Sequence, residues 1–180
     1  MIITIDGPAG SGKSTIAKKL AQKLNMMHFN GGSLFRGVTA YLHHLNFDFS
    51  TLKAKTKFKD IELTVDYINN EQHVFVNGID FFNHLRDNEI SNLTPLVGEN
   101  IQLRSLIDQC LKSFCNTHDV VIEGRDMGSY VFPNAEIKIF LTSSLEVREQ
   151  RRFKQEQEKG SNITLEQIKA EIKARDDFDK

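Results

Sequence analysis

The chain has 180 residues, 39% hydrophobic and 26% charged, with 13 Phe and no Trp, which fits one folded globular unit and excludes wholesale disorder. Lys and Arg number 23 against 24 Asp and Glu, a formal net charge of −1, so the basic excess of a typical nucleic-acid binder is missing. No apolar run nears the ~20 residues needed to span a bilayer, and the N-terminus lacks a signal-peptide pattern. A cytoplasmic location is expected, with no membrane and no nucleic acid among its partners.

In chain order, Ile2-Ile3-Thr4-Ile5 is a β-branched run ended by Asp6-Gly7-Pro8, and reads as a buried strand. Ser14 to Leu24 places Ile16, Ala17, Leu20, Ala21 and Leu24 on one helical stripe. Met26 to Phe29 reads as a second strand, stopped by Asn30-Gly31-Gly32. Strand, helix and strand within about thirty residues make a βαβ unit and therefore a parallel sheet.

Ile61 to Tyr67 and His73 to Val76 alternate apolar and polar residues around Asn69-Asn70, the pattern of an antiparallel hairpin, and Asn77-Gly78 offers a second turn. Residues 50–82 thus read as a small β insertion, with Phe81 and Phe82 in its core. Asp119 to Gly124 and Glu136 to Leu141 read as further buried strands. A long polar helix starts near Ser143 or Ser144, and Thr164-Leu165-Glu166-Gln167 resembles a capped helix start. The two cysteines, Cys110 and Cys115, are too few for a disulfide framework and read as packing residues. His28, His43, His44, His73, His84 and His118 lack metal-ligand spacing and are expected in surface or packing roles.

One motif carries chemistry. Gly7-Pro8-Ala9-Gly10-Ser11-Gly12-Lys13-Ser14, followed by Thr15, satisfies G-x-x-x-x-G-K-[ST] between a strand and a helix. Glycines let the backbone wrap a phosphate with its N–H groups exposed, and the next helix presents its positive end. Lys13 can reach β- and γ-phosphates, and the Ser14 hydroxyl can ligate Mg²⁺. A nucleoside triphosphate is the expected ligand. Arginines recur away from this loop at 36, 86, 104, 125, 148, 151, 152 and 175, and guanidinium forks suit phosphate oxygens. Arg125 stands out because Gly124-Arg125-Asp126 ends a strand, where open α/β sheets bind ligands.

Taken together, Gly7 to Thr15, Asn30 to Arg36, Glu123 to Pro133, Lys138 to Leu141, the stretch 157–160 and Arg175-Asp176-Asp177 resemble bacterial cytidylate kinases, within the nucleoside monophosphate kinases. The resemblance implies a three-layer α/β P-loop fold in one domain. Its core would be about 1–30 and 83–147, its acceptor-binding region with the β insertion about 31–82, and its lid about 148–170. It also implies reversible phosphoryl transfer from ATP to CMP or dCMP with Mg²⁺. Arg36 and Arg125 would hold the acceptor phosphate, Arg104 and Asp126 the cytosine edge, and Arg175 and Asp179 the ribose. Lys13, Arg125, Arg148 and Arg152 would stabilise the transferring group, with Arg151 beside the ATP. Two other readings, a kinase for a different monophosphate such as UMP and a nucleotide-binding but catalytically weak relative, would show different acceptor use or none.

The chain departs from the family at three places. The family's Asp-Ser-Gly is Asn30-Gly31-Gly32 here, which leaves Ser33 as the nearest hydroxyl. A base-reading serine falls at Pro95, beside Thr94. The family continues past Asp179-Lys180 with another arginine, a strand and a helix. A monomer is expected, with an uncovered sheet edge as the surface through which a dimer would form.

Overall fold

The computed structural model describes residues 1–158 and 160–178. Their contacts group the chain into two compact units, Met1–His28 with Val121–Lys180, and Phe29–Val120.

The first unit is built on β1 (Ile2–Asp6), whose Ile3, Thr4 and Ile5 are buried as a β-branched run covered on both faces should be. It pairs in parallel with β7 (Ile137–Phe140), in a four-stranded sheet of order β2-β6-β1-β7. The other members are β2 (Met27–Asn30) and β6 (Val120–Gly124). Helix α1 (Lys13–Leu24) lays Ala17 and Ala21 against Ile3, Ile5 and Val121, with Leu20 at the margin. Small side chains at the contact let helix and strand approach closely. The stripe is narrower than expected, since Ile16 and Leu24 are about half exposed.

β7 differs from its sequence reading as a buried strand. It is the last strand of the order, so among the described residues one flank has no neighbour in the sheet, and Ile137 and Phe140 are 47% and 69% exposed. Two helices complete the unit. They are α5 (Leu145–Glu158) and α6 (Leu165–Phe178), which pack on each other. The expected start of α6 is a capping box. Gln167 N donates to Thr164 Oγ1 at 3.2 Å, and Thr164 N donates back to Gln167 Oε1 at 2.8 Å.

The second unit contains the expected hairpin, β3 (Leu63–Ile68) and β4 (Glu71–Val76), extended by a short β5 (Ile79–Asp80). Asn69 and Asn70 both take positive φ, 53° and 63°, as a two-residue hairpin turn matched to strand twist requires. This turn fixes the register that pairs Tyr67 with Gln72. The residues that stop β2 also start a helix at once, α2 (Gly31–His44), because Asn30 caps it by accepting from Ser33 N at 3.1 Å.

Behind α2 stand α3 (Asn88–Glu99) and α4 (Ile101–Cys115). Gly37 is where α2 meets β4, and a Cβ there would overlap the Val74 side chain. Phe81 is buried in this core, whereas Phe82 is only half-buried and stacks on His73 with ring centroids 4.0 Å apart. Burial pushes the Cys110 and Cys115 thiols up to about 11 and about 12, as unreactive packing residues. Among the described residues, no helix is long and apolar enough to cross a membrane.

Candidate active site

The loop from Gly7 to Gly12 joins β1 to α1 through three glycines at positive φ, 148°, 75° and 98° for Gly7, Gly10 and Gly12. Two of them also answer a packing demand. A Cβ on Gly7 would collide with the Leu141 carbonyl, and one on Gly10 would press to 3.2 Å against the α5 backbone at Arg148. Lys13 folds back across the loop and donates from Nζ to the Pro8 carbonyl at 2.8 Å. Burial lowers its pKa from 10.5 to about 8, helped by Arg125 and Arg148 and opposed by Glu123 and Asp6. The Ser11 hydroxyl is buried with no hydrogen-bond partner, an orphaned polar atom within the loop. Thr15 follows on α1 and is exposed.

Two carboxylates that sequence reasoning did not single out hold this region together. Glu123, at the end of β6 and 3% exposed, accepts from Ser14 Oγ at 2.7 Å on one oxygen and from His28 Nε2 at 3.0 Å on the other. A carboxylate only accepts, so the His28 proton sits on Nε2. Burial acts to raise the Glu123 pKa, but the His28 and Ser14 hydrogen bonds and the nearby cations outweigh it and hold the carboxyl below its ordinary value. His28, expected in a surface or packing role, is thus tied into the site.

Asp6, at the end of β1, accepts from the backbone N–H groups of Met127 at 2.9 Å and Gly128 at 2.7 Å. It thereby fixes the chain just past Arg125 and Asp126. Burial raises the Asp6 pKa against those two bonds. The local signal for each acid was its place at a strand end, beside the glycine motif for Asp6 and beside Gly124-Arg125-Asp126 for Glu123.

The arginines of α5 are seated on the phosphate loop. Arg148 is 6% exposed, reaches the Ala9 carbonyl at 3.4 Å, and forms a two-pronged pair with Asp176 of α6 at 2.9 and 2.6 Å. Arg151, three residues on and facing the same way, donates to the Ser11 carbonyl at 3.3 Å. Arg152 pairs instead with the buried Glu156 at 3.3 Å, within its own helix. Of the three, Arg148 and Arg151 meet the loop.

The residues expected to hold the acceptor fall in both units. Arg125 and Asp126 lie half-buried after β6, and Arg175 lies half-buried on α6, its pKa lowered by burial. Arg36 on α2 and Arg104 on α4 belong to the second unit and are half-buried. Arg36 Nη2 donates to Asn30 Oδ1 at 3.3 Å. Asp179 lies outside the described residues.

Neither hydroxyl expected to replace a missing serine is turned outward. Ser33 Oγ is spent on the Asn30 carbonyl at 2.6 Å, and Thr94 Oγ1 on the Ile90 carbonyl at 2.7 Å within α3. Pro95 sits inside α3 without an N–H.

The donor set fits a polyphosphate with a hard divalent cation. A cradle of glycine backbone, an orphaned Ser11 hydroxyl, one lysine and two guanidiniums present hydrogen-bond donors and positive charge. The Ser14 hydroxyl and the Glu123 carboxylate are hard oxygen ligands of the kind Mg²⁺ takes alongside phosphate oxygens and water. Among the described residues, no group of three or more His, Cys, Asp or Glu is placed to hold a metal ion.

A strand, a glycine loop closing on lysine and serine, a strand-end acid on that serine and helix arginines over the loop define a P-loop phosphate-binding enzyme. The family comparison gives the particular group. Residues 3–180 match the family described as cytidylate kinase, and the chain belongs to that family. It is 38% identical over 177 residues to the cytidylate kinase of Thermotoga maritima, covering 98% of this chain and 80% of that one. It is 36% identical over 181 residues to that of Halalkalibacterium halodurans, covering 99% and 81%. Thermosipho melanesiensis supplies another cytidylate kinase, 37% identical over 177 residues, with 98% and 79% covered.

Proposed function

We propose that this chain transfers the γ-phosphoryl group of ATP to CMP or dCMP, reversibly, to give ADP and the cytidine diphosphate. The observation that carries the reading is the phosphate loop overlaid by α5, where Lys13, Arg148 and Arg151 bring three cations onto one strip of backbone. An oxygen of the acceptor's phosphate bonds to the γ-phosphorus while the bond to the β–γ bridging oxygen breaks, and ADP departs with that electron pair. The acceptor phosphate is largely ionised at neutral pH, so no side chain has to take a proton. What the protein supplies is alignment of two anions and neutralisation of their charge.

In this reading Lys13 holds the β- and γ-phosphates and the Gly7–Gly12 backbone cradles the β-phosphate. Arg148, Arg151 and Arg152 cover the triphosphate. Arg36 and Arg125 hold the acceptor phosphate, with Asp6 keeping the Arg125-Asp126 segment in place. Arg104 and Asp126 face the cytosine edge, and Arg175 and Asp179 the ribose. Ser14, with Glu123 behind it, would hold Mg²⁺, which supplies positive charge to the triphosphate. Glu123 takes the Ser14 proton in its hydrogen bond, so the oxygen lone pairs of Ser14 are left for the cation.

Phosphorus NMR of the protein with ATP, Mg²⁺ and CMP tests the proposal. The diphosphate resonances of CDP should grow in as those of ATP decline. Inorganic phosphate as the only new signal would overturn it.

A further inference from the structure

We infer that Gln72 of β4 is a positioning residue for the acceptor site, clamping the turn that aims Arg36. This rests on the reading of Arg36 as a ligand of the acceptor phosphate. On β4 the inward row is Gln72, Val74 and Val76, with both valines fully buried. A polar residue in such a row must find hydrogen bonds. Gln72 finds them 42 residues earlier in the chain, at the junction of β2 and α2.

Both ends of its amide are used there. Asn30 N donates to Gln72 Oε1 at 2.7 Å. Gln72 Nε2 donates to the Asn30 carbonyl at 3.2 Å and to Ser33 Oγ at 2.6 Å. Asn30 is therefore gripped at its backbone N–H and carbonyl together. Its side-chain oxygen is left to cap α2 at Ser33 N, at 3.1 Å, and to accept from Arg36 Nη2, at 3.3 Å.

Gly32 leaves the space the guanidinium occupies. A Cβ there would stand 3.3 Å from both Arg36 Nη1 and Asn30 Oδ1. The chain of contacts runs Gln72, Asn30, Arg36, and every member but the last is neutral. The clamp orients the arginine through neutral amides, and a guanidinium fork suits a group that must bind a phosphate. The Asn69-Asn70 turn belongs to the device as well, because a slip of one residue in the β3–β4 register would turn Gln72 to the opposite face.

The test compares the wild type with Gln72→Leu, Gln72→Glu and Ser33→Ala in equilibrium binding of CMP and of cytidine, in steady-state kinetics and in thermal melting. Gln72→Leu should raise the CMP KM and Kd roughly tenfold, the cost of three lost hydrogen bonds at one junction. Cytidine binding, the ATP KM and kcat at saturating CMP should stay within about twofold. Gln72→Glu keeps the acceptor for Asn30 N but loses both donor bonds and adds negative charge, so its CMP affinity should fall further than that of Gln72→Leu. Ser33→Ala removes two bonds, the one its hydroxyl donates to the Asn30 carbonyl and the one it accepts from Gln72 Nε2, and should have the smallest effect.

A wild type that binds CMP, with Gln72→Leu binding it equally well, overturns the clamp and leaves the kinase reading standing. Equal losses for CMP and cytidine, or a fall in kcat with unchanged CMP KM, show a merely structural residue and overturn it too. A wild type that binds no CMP overturns the acceptor reading itself, and the clamp with it. If Gln72→Leu melts before it can be assayed, Ser33→Ala decides by the same ratio of CMP to cytidine affinity.

Discussion

The two units of this protein position their functional groups by different chemistry. In the first, charge is held by charge. Arg148 is locked to Asp176, Arg152 to Glu156, and Glu123 accepts from His28 and Ser14 close to Lys13. In the second, three long-range ties are made by neutral amides. Gln72 clamps Asn30, Asn100 donates to the Lys53 and Thr56 carbonyls at 2.8 and 2.9 Å, and Gln102 brackets the backbone of Phe58 at 2.8 and 2.7 Å.

The contrast follows from the jobs proposed for the units. A loop that binds a triphosphate gathers several cations at close quarters, and their mutual repulsion is contained by buried acids. A unit that offers one or two arginines to a monophosphate orders the loops around them in part with uncharged amides. Interactions of the first kind weaken with salt to the extent that water reaches them, and those of the second do not.

The largest effect expected from breaking this division is Lys13→Ala. It removes the central cation of the first unit and should lower kcat by on the order of 10²- to 10³-fold. Lys13 is not a core residue, so far-UV circular dichroism should be unchanged. Next is Asp176→Asn, which leaves the buried Arg148 without its counter-charge. We expect a loss of about 3 kcal/mol in urea unfolding, at the low end for a buried pair because the Asp176 side chain is 22% exposed, together with a raised ATP KM.

Asn100→Ala sharpens the comparison from the other side. It strands two carbonyls and uncaps α4, whose Leu103 N donates to Asn100 Oδ1 at 3.0 Å. It should cost about 2 kcal/mol, by the same amount in 50 mM as in 500 mM salt. The smallest effect is Thr164→Ala, which opens the capping box of α6 and should cost about 1 kcal/mol with little change in either KM.

What could be read in the sequence was what is local. The strand, glycine loop and helix follow from the single stretch Ile2–Leu24, because the positive φ of Gly10 and Gly12 is a property of that segment. The β3–β4 hairpin was legible for the same reason, since Asn69-Asn70 both names the turn and sets the register.

Long-range partnerships were not legible. Ser14 meets Glu123 across 109 positions, Arg148 meets Asp176 across 28, and Asn30 meets Gln72 across 42. Nothing in the local pattern distinguishes Gln72 from any other polar residue of an alternating strand. The hydroxyls of Ser33 and Thr94 are satisfied inside the fold, Ser33 by the Asn30 carbonyl and Gln72 and Thr94 by the Ile90 carbonyl, which spacing could not reveal. β7 reads as buried because its residues are apolar, yet burial depends on a neighbour that lies outside the segment.

The most direct test of the account is ADP formation from Mg²⁺ and ATP with CMP, dCMP, UMP and AMP as acceptors, in the wild type, Lys13→Ala and Arg36→Ala. The account predicts turnover that depends on CMP or dCMP, loss of kcat in Lys13→Ala, and a raised CMP KM with unchanged ATP KM in Arg36→Ala. ADP formation that ignores the acceptor, or that survives Lys13→Ala, would contradict it.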